Sequence, residues 1–378
     1  MRIGIDARIL THPEMRGMAS YLMGLLKAWP DSRDTFVFFS ERMPDQVDRL
    51  DLNIVNPVEW VEVKSPKGNR VHIWDWWALP RALAKDNRQL DIFWSPSNLV
   101  FPLRNLPQVV TIHDTLLQEK VVFTDTFDRL YYHHLIPFLT KRFLPRVITV
   151  SHFSAHRIHR VFNYPKNKIF TIHNGVSLGP KTMASKAVQK ELNRLGVSKG
   201  LYIYSLGAES PWKNTLGVLK AFDRVQKKHP NLGLVISGIQ DRFEATLRGE
   251  CRGLGLSLRQ VTLLGYVDSN IRDCLYAGAS LFVYPSLFEG FGLPPLEAMS
   301  MGTPVVASNS ASIPEVTGSA AVLVDADDPQ QLADAIIHVI EQPELQKQLV
   351  LKGTENINRF DWAVSASHHR KIMKKSVG

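Results

Sequence analysis

Two glutamates bracket a glycine-rich loop in the stretch 284–302, YPSLFEGFGLPPLEAMSMG. Glu289 precedes the loop and Glu297 follows it. The helix that carries Glu297 is expected to start near Pro294 or Pro295, because the first helical turn tolerates a residue without an N–H group. Four backbone amides lie in the loop, those of Gly290, Phe291, Gly292 and Leu293. A helix N-terminus attracts anions, and carboxylates accept hydrogen bonds from sugar hydroxyls. The stretch therefore predicts a site for phosphate and sugar oxygens.

This pair of glutamates, separated by seven residues that include G-F-G-L-P-P, resembles the E-x7-E signature of the family 4 glycosyltransferases, which have the GT-B fold. The resemblance implies that Glu289 and the loop amides hold the donor sugar and that Glu297 binds the nucleotide ribose. A glutamate in a first helical turn is also favoured by the helix dipole alone. A structural role for Glu297 therefore stays open.

The composition is that of a globular protein with two domains. The chain has 378 residues, of which 44% are hydrophobic and 21% charged. Two cysteines, Cys251 and Cys274, form neither a disulfide framework nor a metal-ligand cluster, which indicates a reducing compartment. The N-terminal MRIGIDARIL is interpreted as a first strand and not as a signal peptide. No apolar run approaches the roughly 18 residues that a transmembrane helix needs. We therefore expect a cytoplasmic protein, with a peripheral position at the inner membrane face as an open alternative.

The formal net charge of +9 indicates an anionic partner. No nucleic-acid-binding motif is recognisable, so nucleic acid is not expected. The segment 127–144 alternates aromatic and aliphatic residues with Arg129, Lys141 and Arg142, which predicts weak contact with an anionic membrane surface. A packed helix with a solvated edge is the alternative, and Pro137 is expected to interrupt any continuous helix.

Strands alternate with helices in both halves of the chain, which predicts an α/β protein with two doubly wound Rossmann-like domains that face a cleft. The predicted boundaries are 1–176 for an acceptor-binding domain and 201–358 for a nucleotide-sugar-binding domain. Residues 177–200, rich in Lys and Ser, are interpreted as a linker. The segment 359–378 resembles the closing helix of the GT-B fold, which crosses back to the N-terminal domain.

Two residues of the N-terminal half follow strands, where open α/β sheets bind ligands. Gly17 opens a helix and its amide is a candidate for the donor diphosphate, although a plain helix entry explains it equally. His113 ends the strand 109–112, and the resemblance implies that it contacts the donor sugar. A structural histidine is the alternative, with Asp114 orienting it or capping the next helix. Three nearby tryptophans form either part of the core or a platform for the acceptor: Trp74, Trp76 and Trp77.

In the C-terminal half, Lys213 lies between the strand 201–206 and the helix 215–228, where an ammonium group can neutralise a diphosphate. A solvated lysine at a helix start is the alternative. Many family members have an arginine five residues before this lysine or directly before it, whereas this chain has Ala208 and Trp212. The resemblance also assigns the nucleotide base to the turn after the strand 261–264, formed by Gly265, Tyr266 and Val267.

The triplet Asp325-Ala326-Asp327 matches a metal-binding D-x-D formally, but it precedes a helix, so we interpret it as a helix cap and expect no metal. The resemblance implies a retaining hexosyltransferase that uses a nucleotide diphosphate sugar and no further cofactor. The patterns GIDARIL, HD and WSPSN are similar to bacterial cell-surface polysaccharide mannosyltransferases, which favours GDP-mannose as donor and a saccharide or lipid-linked saccharide as acceptor. The alternative is a catalytically silent GT-B module that binds nucleotide sugar or scaffolds a polysaccharide-synthesis complex. A dehydrogenase is disfavoured because neither half has G-x-G-x-x-G after its first strand.

Overall fold

The computed structural model describes residues 1–11, 17–43, 52–64, 74–85, 89–103, 105–121, 125–177 and 185–377. It divides the chain into two compact units. The first unit consists of Met1–Gly175 and Asp361–Gly378, and the second of Val176–Phe360. Each unit is built on a parallel sheet, as the alternation of strands and helices in the sequence predicts.

The first unit contains a seven-stranded parallel sheet in the order β3-β2-β1-β4-β5-β6-β7. Its strands are β1 (Arg2–Asp6), β2 (Thr35–Ser40), β3 (Val58–Glu62), β4 (Ile92–Ser95), β5 (Gln108–Thr111), β6 (Val147–Thr149) and β7 (Ile169–Thr171). Its helices are α1 (Gly17–Lys27), α2 (Leu79–Lys85), α3 (Leu116–Glu119), α4 (Thr126–Leu130), α5 (Ile136–Phe143), α6 (His152–Phe162) and, at the end of the chain, α15 (Trp362–Val377). The strand order reverses between β1 and β4, which is where a doubly wound sheet forms a ligand site.

Helix α15 packs on the first unit through a large aromatic side chain. The Trp362 ring lies so close to Gly24 and Gly175 that a Cβ atom at either position would come within 2.4 Å of it. Two turns further on, the Arg370 guanidinium pairs with Asp31 and Asp34 at 2.6 and 2.5 Å. Glycine at the two contact positions is therefore required by close packing.

The helical run from α4 to α5 is continuous, joined by a π-helical turn at Tyr131–Leu135. The expectation that Pro137 interrupts this run is wrong. Pro137 follows the π-helical turn, where the α-helical hydrogen-bond pattern is already interrupted, so its missing N–H does not end the run. Within the part of the chain that the structure describes, no helix is both long and apolar enough to cross a membrane.

The second unit contains a six-stranded parallel sheet in the order β10-β9-β8-β11-β12-β13. Its strands are β8 (Tyr202–Leu206), β9 (Gly233–Ser237), β10 (Val261–Leu263), β11 (Leu281–Tyr284), β12 (Val305–Ser308) and β13 (Val322–Val324). Its helices are α7 (Ser185–Arg194), α8 (Thr215–Lys228), α9 (Asp241–Gly253), α10 (Ser269–Gly278), α11 (Leu293–Ser300), α12 (Ile313–Thr317), α13 (Pro329–Glu341) and α14 (Pro343–Ile357). Strand order reverses between β8 and β11.

Two assignments made from the sequence need correction. The predicted linker 177–200 contains α7, which belongs to the second unit and buries Val188 and Leu192, one helical turn apart. Its polar composition concealed this apolar stripe; residues 178–184 lie outside the described part. The cap of α13 is Asp328, whose carboxylate accepts the amides of residues 330 and 331 at 2.9 and 3.1 Å. The triplet predicted to cap this helix instead forms a turn in which Asp325 accepts the Asp327 amide at 3.0 Å.

Candidate active site

The glutamate-bracketed loop follows β11, and Lys213 follows β8, so both lie at the carboxyl ends of the two strands where the order of the second sheet reverses. Leu281 pairs with Ile203 in this register, so the two strands end at the same edge of the sheet. Loops diverge at such a switch point and leave a crevice for a ligand. The strand order thus brings together two segments that are more than 70 residues apart in the chain.

The four side chains of Lys213, Tyr284, Ser286 and Glu289 form one hydrogen-bonded network, which we call the Lys213 cluster. Lys213 Nζ lies 2.6 Å from Glu289 Oε1 and 2.8 Å from the Tyr284 hydroxyl. The Tyr284 hydroxyl donates to the same Oε1 at 2.8 Å, and Ser286 Oγ lies 2.6 Å from it. An ammonium group has three protons. Within the described residues the cluster engages two of them, which leaves one for a ligand. Glu289 Oε2 takes part in none of these contacts.

The loops that carry the cluster are fixed to each other by main-chain hydrogen bonds. The Trp212 carbonyl accepts the Leu287 amide at 2.7 Å and lies 2.9 Å from Ser286 Oγ. Asn214 adopts a left-handed conformation with φ +54° at the start of α8, and its side-chain amide donates to the Ala326 carbonyl at 2.6 Å. The ammonium group is therefore held in place before any ligand binds.

The cluster keeps Lys213 charged although the side chain is only 28% exposed and that of Glu289 only 15%. Burial alone would lower the pKa of Lys213, but the negative charge of Glu289 and the hydrogen bonds to Glu289 and Tyr284 raise it above its ordinary value. Burial and the neighbouring carboxylate likewise raise the pKa of Tyr284, so its hydroxyl stays protonated. The site thus presents a fixed positive charge beside a carboxylate.

The predicted amide loop leads directly into α11, which begins at Leu293, slightly earlier than expected. Gly292 caps this helix with φ +102°, and a Cβ atom there would lie 2.6 Å from Ile313 Cδ1, so any other residue would be strained. Pro294 and Pro295 remove two of the N–H groups that a helix N-terminus normally offers. Among the first residues of this helix, Leu293 therefore keeps a backbone N–H, whereas the two prolines after it have none.

Glu297, on α11, is held by two residues of α10. Tyr276 donates its hydroxyl to Glu297 Oε2 at 3.1 Å, and the Arg272 guanidinium lies 3.4 Å from Oε1. Burial alone would lower the pKa of Arg272, but the charge of Glu297 raises it above its ordinary value. Arg272 Nε is buried without a hydrogen-bond partner among the described residues. This edge of the sheet therefore carries a second fixed cation.

The predicted base-binding turn follows β10 and leads into α10, the helix whose Arg272 and Tyr276 side chains contact Glu297. The Gly265 carbonyl accepts the amide of Gly238 at 2.9 Å, and the Tyr266 ring is 46% exposed. After Val267, Asp268 caps α10 by accepting the Ile271 amide at 3.0 Å. The turn therefore directly precedes the helix that carries Arg272.

The other two predicted site residues, Gly17 and His113, belong to the first unit. Gly17 is the first residue of α1, and a Cβ atom there would meet nothing within 4 Å. His113 is buried just after β5, with its Nε2 2.7 Å from the carbonyl of Pro96. Burial lowers the pKa of His113 to about 4. The imidazole is therefore neutral, and because a carbonyl only accepts, Nε2 carries the proton and Nδ1 is an acceptor. Asp114 accepts the amide of Leu116, which fixes the next turn.

A cavity of about 450 Å³ lies at the switch point of the first sheet. Its walls include Asp6, Arg8, Asn98, Asp114, Gln118 and Tyr132. Arg8 pairs with Asp6 at 2.7 Å and with the buried Asp75 at 2.9 Å, and its guanidinium stacks 3.6 Å from the Trp74 ring. Trp74 is therefore part of the core, whereas Trp77 is half-exposed. The pairing of Arg8 with Asp75 was not predicted from the sequence.

Two family models match the chain, one in its N-terminal half and one in its C-terminal half. Glycosyltransferase Family 4 matches 15–179 and Glycosyl transferases group 1 matches 189–356. The chain belongs to the family 4 glycosyltransferases. Because the two models meet near the boundary between the units, each unit of this glycosyltransferase corresponds to one of them.

Its curated relatives include two enzymes named for O-antigen chains. O-antigen chain mannosyltransferase B of Escherichia coli is 32% identical over 220 residues, which is 57% of this chain and 57% of that protein. O-antigen chain mannosyltransferase RfbU of Salmonella typhimurium is 28% identical over 336 residues, or 87% of this chain and 88% of that protein. The first alignment thus spans little more than half of the relative.

Solved structures show the fold of this glycosyltransferase. Anabaena Alr3699/HepE in complex with UDP and glucose aligns with a TM-score of 0.77 at 19% identity, over 99% of each chain. WaaG, a glycosyltransferase involved in lipopolysaccharide biosynthesis, aligns with a TM-score of 0.75 at 12% identity, over 98% of this chain and 99% of that one. The prediction of a GT-B fold with two doubly wound units is confirmed.

Four residues of the site were not predicted from the sequence: Tyr284, Ser286, Arg272 and Tyr276. Tyr284 and Ser286 flank a proline immediately after a buried strand, and polar groups at the carboxyl end of a strand are a usable signal. Arg272 and Tyr276 lie four residues apart on a helix, which places both on the same face. The spacing alone does not show that both side chains contact Glu297, because that contact depends on how α11 packs against α10.

Proposed function

We propose that this glycosyltransferase moves a hexose from a nucleotide diphosphate sugar to a hydroxyl of a saccharide or lipid-linked saccharide acceptor. The observation that carries the proposal is the Lys213 cluster, a fixed ammonium with one proton to spare at the switch point of the second sheet. The relatives named as O-antigen chain mannosyltransferases support the reaction class and its place in polysaccharide synthesis.

The difficult event in this reaction is the departure of the diphosphate from the sugar, during which negative charge builds up on the phosphate oxygens. In our proposal Lys213 and the amides of 290–293 stabilise that charge. Donors that are already fixed in position require no reorganisation as the charge develops. The hydrogen bonds from Lys213 to Tyr284 and Glu289 provide such fixing.

The hexose is positioned by Glu289, whose Oε2 lies outside the cluster's own contacts and can accept from sugar hydroxyls. We also assign a sugar contact to His113, as an acceptor through Nδ1, because burial keeps its imidazole neutral. Correct orientation of a bound substrate can contribute several kcal/mol to the barrier. Gly17 remains our candidate for an amide contact to the diphosphate.

The nucleotide is proposed to bind between the Glu297 side chain and the turn 265–267. A carboxylate has about four acceptor positions, so Glu297 can bind ribose hydroxyls while it also holds Arg272 and Tyr276. Tyr266, nearly half exposed, offers a flat ring to the base. Arg272 adds a fixed positive charge to a site in which Ala208 and Trp212 occupy the positions where many family members have arginine.

We propose that the sugar keeps its anomeric configuration, through a front-face substitution in which the leaving phosphate accepts the acceptor's proton. Lysine and arginine charges at the site make a metal unnecessary in this scheme. NMR of the product, which distinguishes the two anomers, tests whether the configuration is retained. If no metal is needed, turnover is expected to be equal with and without EDTA. A loss of turnover in EDTA that is restored by added Mg²⁺ would contradict this.

GDP-mannose is the proposed donor; the names of both relatives support mannose as the sugar, whereas GDP as the nucleotide rests on the sequence resemblance alone. Thermal unfolding with GDP, UDP and ADP, followed by transfer assays with GDP-mannose and UDP-glucose, tests it. Of the three nucleotides, we expect only GDP to raise the midpoint temperature of unfolding. Of the two donors, we expect only GDP-mannose to be consumed. A raised midpoint without hydrolysis or transfer would favour the alternative, a silent nucleotide-sugar-binding module, for which Ala208 and Trp212 are the supporting residues.

We further propose that the helical run 126–143 contacts an anionic membrane surface weakly. Three of its apolar side chains are about half exposed: Phe127, Leu130 and Phe138. The cations Arg129, Lys141 and Arg142 lie in the same run. Exposed apolar residues beside cations are typical of interfacial helices. Flotation with anionic liposomes at low salt is expected to carry the protein along, whereas Leu130→Asp/Phe138→Asp is expected to stay behind.

A further inference from the structure

The positive charge of this protein is concentrated in two stretches of the first unit. Residues 145–175 and 362–377 contain nine Lys and Arg residues and no Asp or Glu, so they account for the formal net charge of +9 of the whole chain. The first stretch forms β6, α6 and β7, and the second forms α15. The other parts of the chain are therefore balanced in charge.

These elements enclose a groove of about 680 Å³, which we call the edge groove. Its lining residues are His152, Ala155, His156, His159, Lys166, Ile169, Phe170, Thr171, Ile172, His368, Lys371, Ile372 and Lys375. Successive side chains of a strand point to opposite faces of the sheet. Because four successive residues from Ile169 line the groove, its floor is the edge of β7 and not one face, with α6 and α15 as walls.

The main chain of β7 is open toward this groove. β7 is the last strand of the described sheet and pairs only with β6. Thr171 is opposite Thr149, and the Ile172 amide donates to the Thr149 carbonyl at 2.8 Å. In a parallel register alternate residues bond to the neighbour. The N–H and C=O of Thr171 therefore point away from β6, and such an edge can pair with another strand.

The lysines that surround this edge differ from two arginines of the same elements. Arg157 pairs with Glu119, and Arg370 pairs with Asp34. Lys166, Lys371 and Lys375 have no carboxylate within 4 Å among the residues that the structure describes. The groove therefore combines unpaired main-chain groups, apolar side chains and uncompensated positive charge.

We propose that the edge groove binds an extended acidic segment of a partner protein, which adds to β7 as a further strand. A strand edge offers alternating donors and acceptors, and only another peptide backbone matches both. A phosphate or a lipid headgroup satisfies the lysines but not the carbonyl of Thr171. Lysines beside an edge also repel basic strands and discourage unspecific pairing. The charges thus select an acidic partner strand.

The test uses a fluorescein-labelled peptide of alternating Glu and Val residues, with binding measured by fluorescence anisotropy. We expect Lys166→Glu/Lys371→Glu to bind it about tenfold more weakly, since reversed charges repel an acidic strand. The control is Lys227→Glu/Lys347→Glu, which changes the net charge equally at exposed sites of the second unit. The control is expected to bind like the unmodified protein. Equal weakening in both variants would overturn the proposal.

Backbone pairing is tested on the unmodified protein with two further peptides, N-methylated at either the odd or the even amides. Both peptides keep every charge. In one of them, however, the methylated amides are those that would face β7, so that peptide cannot donate hydrogen bonds to the strand edge. We expect one methylated peptide to lose at least about tenfold in affinity and the other to bind like the parent. Equal affinity of all three would overturn the proposal. So would binding of anionic phospholipid vesicles that depends on Lys166 and Lys371 while the peptide does not bind, because the groove would then be a lipid site.

Discussion

Replacing Lys213 by methionine removes the ammonium charge and keeps a side chain of similar length. In the structure the ammonium lies 2.6 Å from Glu289 Oε1 and has one proton outside the cluster. If that proton binds the leaving diphosphate, its loss removes one preorganised donor from a developing negative charge. Such a loss costs about 100- to 1,000-fold in kcat, or about 3–4 kcal/mol. We expect a decrease of this size for Lys213→Met, and a similar one for Glu289→Gln through lost positioning of the sugar.

Both substitutions also affect stability, and a double-mutant cycle separates the two effects. Lys213→Met leaves the Glu289 carboxylate without its cation, which we expect to lower the free energy of unfolding by about 1–3 kcal/mol. Lys213→Met/Glu289→Gln removes the unpaired charge and is expected to regain part of that loss. It is not expected to regain activity, because a neutral pair neither binds phosphate charge nor positions the sugar as a carboxylate does.

The measurements are initial rates with the donor proposed above, to give kcat and KM, and urea unfolding of each variant. Lys227→Met is the matched control, since Lys227 is an exposed lysine on α8 that, among the described residues, pairs with Asp223 alone. It should leave both quantities unchanged. A kcat for Lys213→Met within about threefold of the unmodified enzyme, or a double variant that regains activity together with stability, would show that the cluster is purely structural and would refute the mechanism.

Three further predictions concern the loop and two titrating groups. Gly292→Ala places a Cβ atom 2.6 Å from Ile313 Cδ1 at φ +102°, so urea unfolding should show a loss of about 1–2 kcal/mol and kcat should fall with it. Burial raises the pKa of Asp273 from 3.8 to about 6, so the folded protein loses stability as pH rises from about 4 to 6; Asp273→Asn should abolish that loss in thermal unfolding, and an unchanged profile would contradict it. Burial lowers the pKa of His113 to about 4, so this group should stabilise the fold above pH 6.5 and cease to do so as pH falls to 4. If the pH profile of kcat falls off near pH 6.5 and His113→Asn removes that fall, the neutral role of His113 is disproved.

The elements with strong local signals could be predicted from the sequence. Helix α8 has the predicted bounds Thr215–Lys228, because its apolar residues recur at helical spacing and Asn214 precedes it. Strand β11 also has its predicted bounds, since a short apolar run ends there at Pro285. In both cases neighbouring residues alone determine where the element lies.

The contacts that define the site depend on strand order, which no local pattern contains. The bond between Lys213 and Tyr284 joins residues 71 positions apart, and that between Arg272 and Glu297 joins residues 25 apart. The sequence indicated that Lys213 and Glu289 each follow a strand. It did not indicate that those strands are neighbours. Placing β8 beside β11 is what turns two separate candidates into one ion pair.

This ion pair also bears on the scarcity of arginine at the site. With Ala208 and Trp212 in place of arginines, Lys213 is the cation next to Glu289, and in isolation its burial would favour the uncharged form. Glu289 prevents this, because its negative charge keeps the ammonium protonated. It also cancels part of the field that a diphosphate would experience. In our proposal the amides of 290–293, which have no counter-charge, supply the compensation. Arg272 adds a further positive charge, which Glu297, 3.4 Å away, offsets in part. In our proposal, one carboxylate therefore determines both how the sugar is held and how much positive charge the leaving group meets.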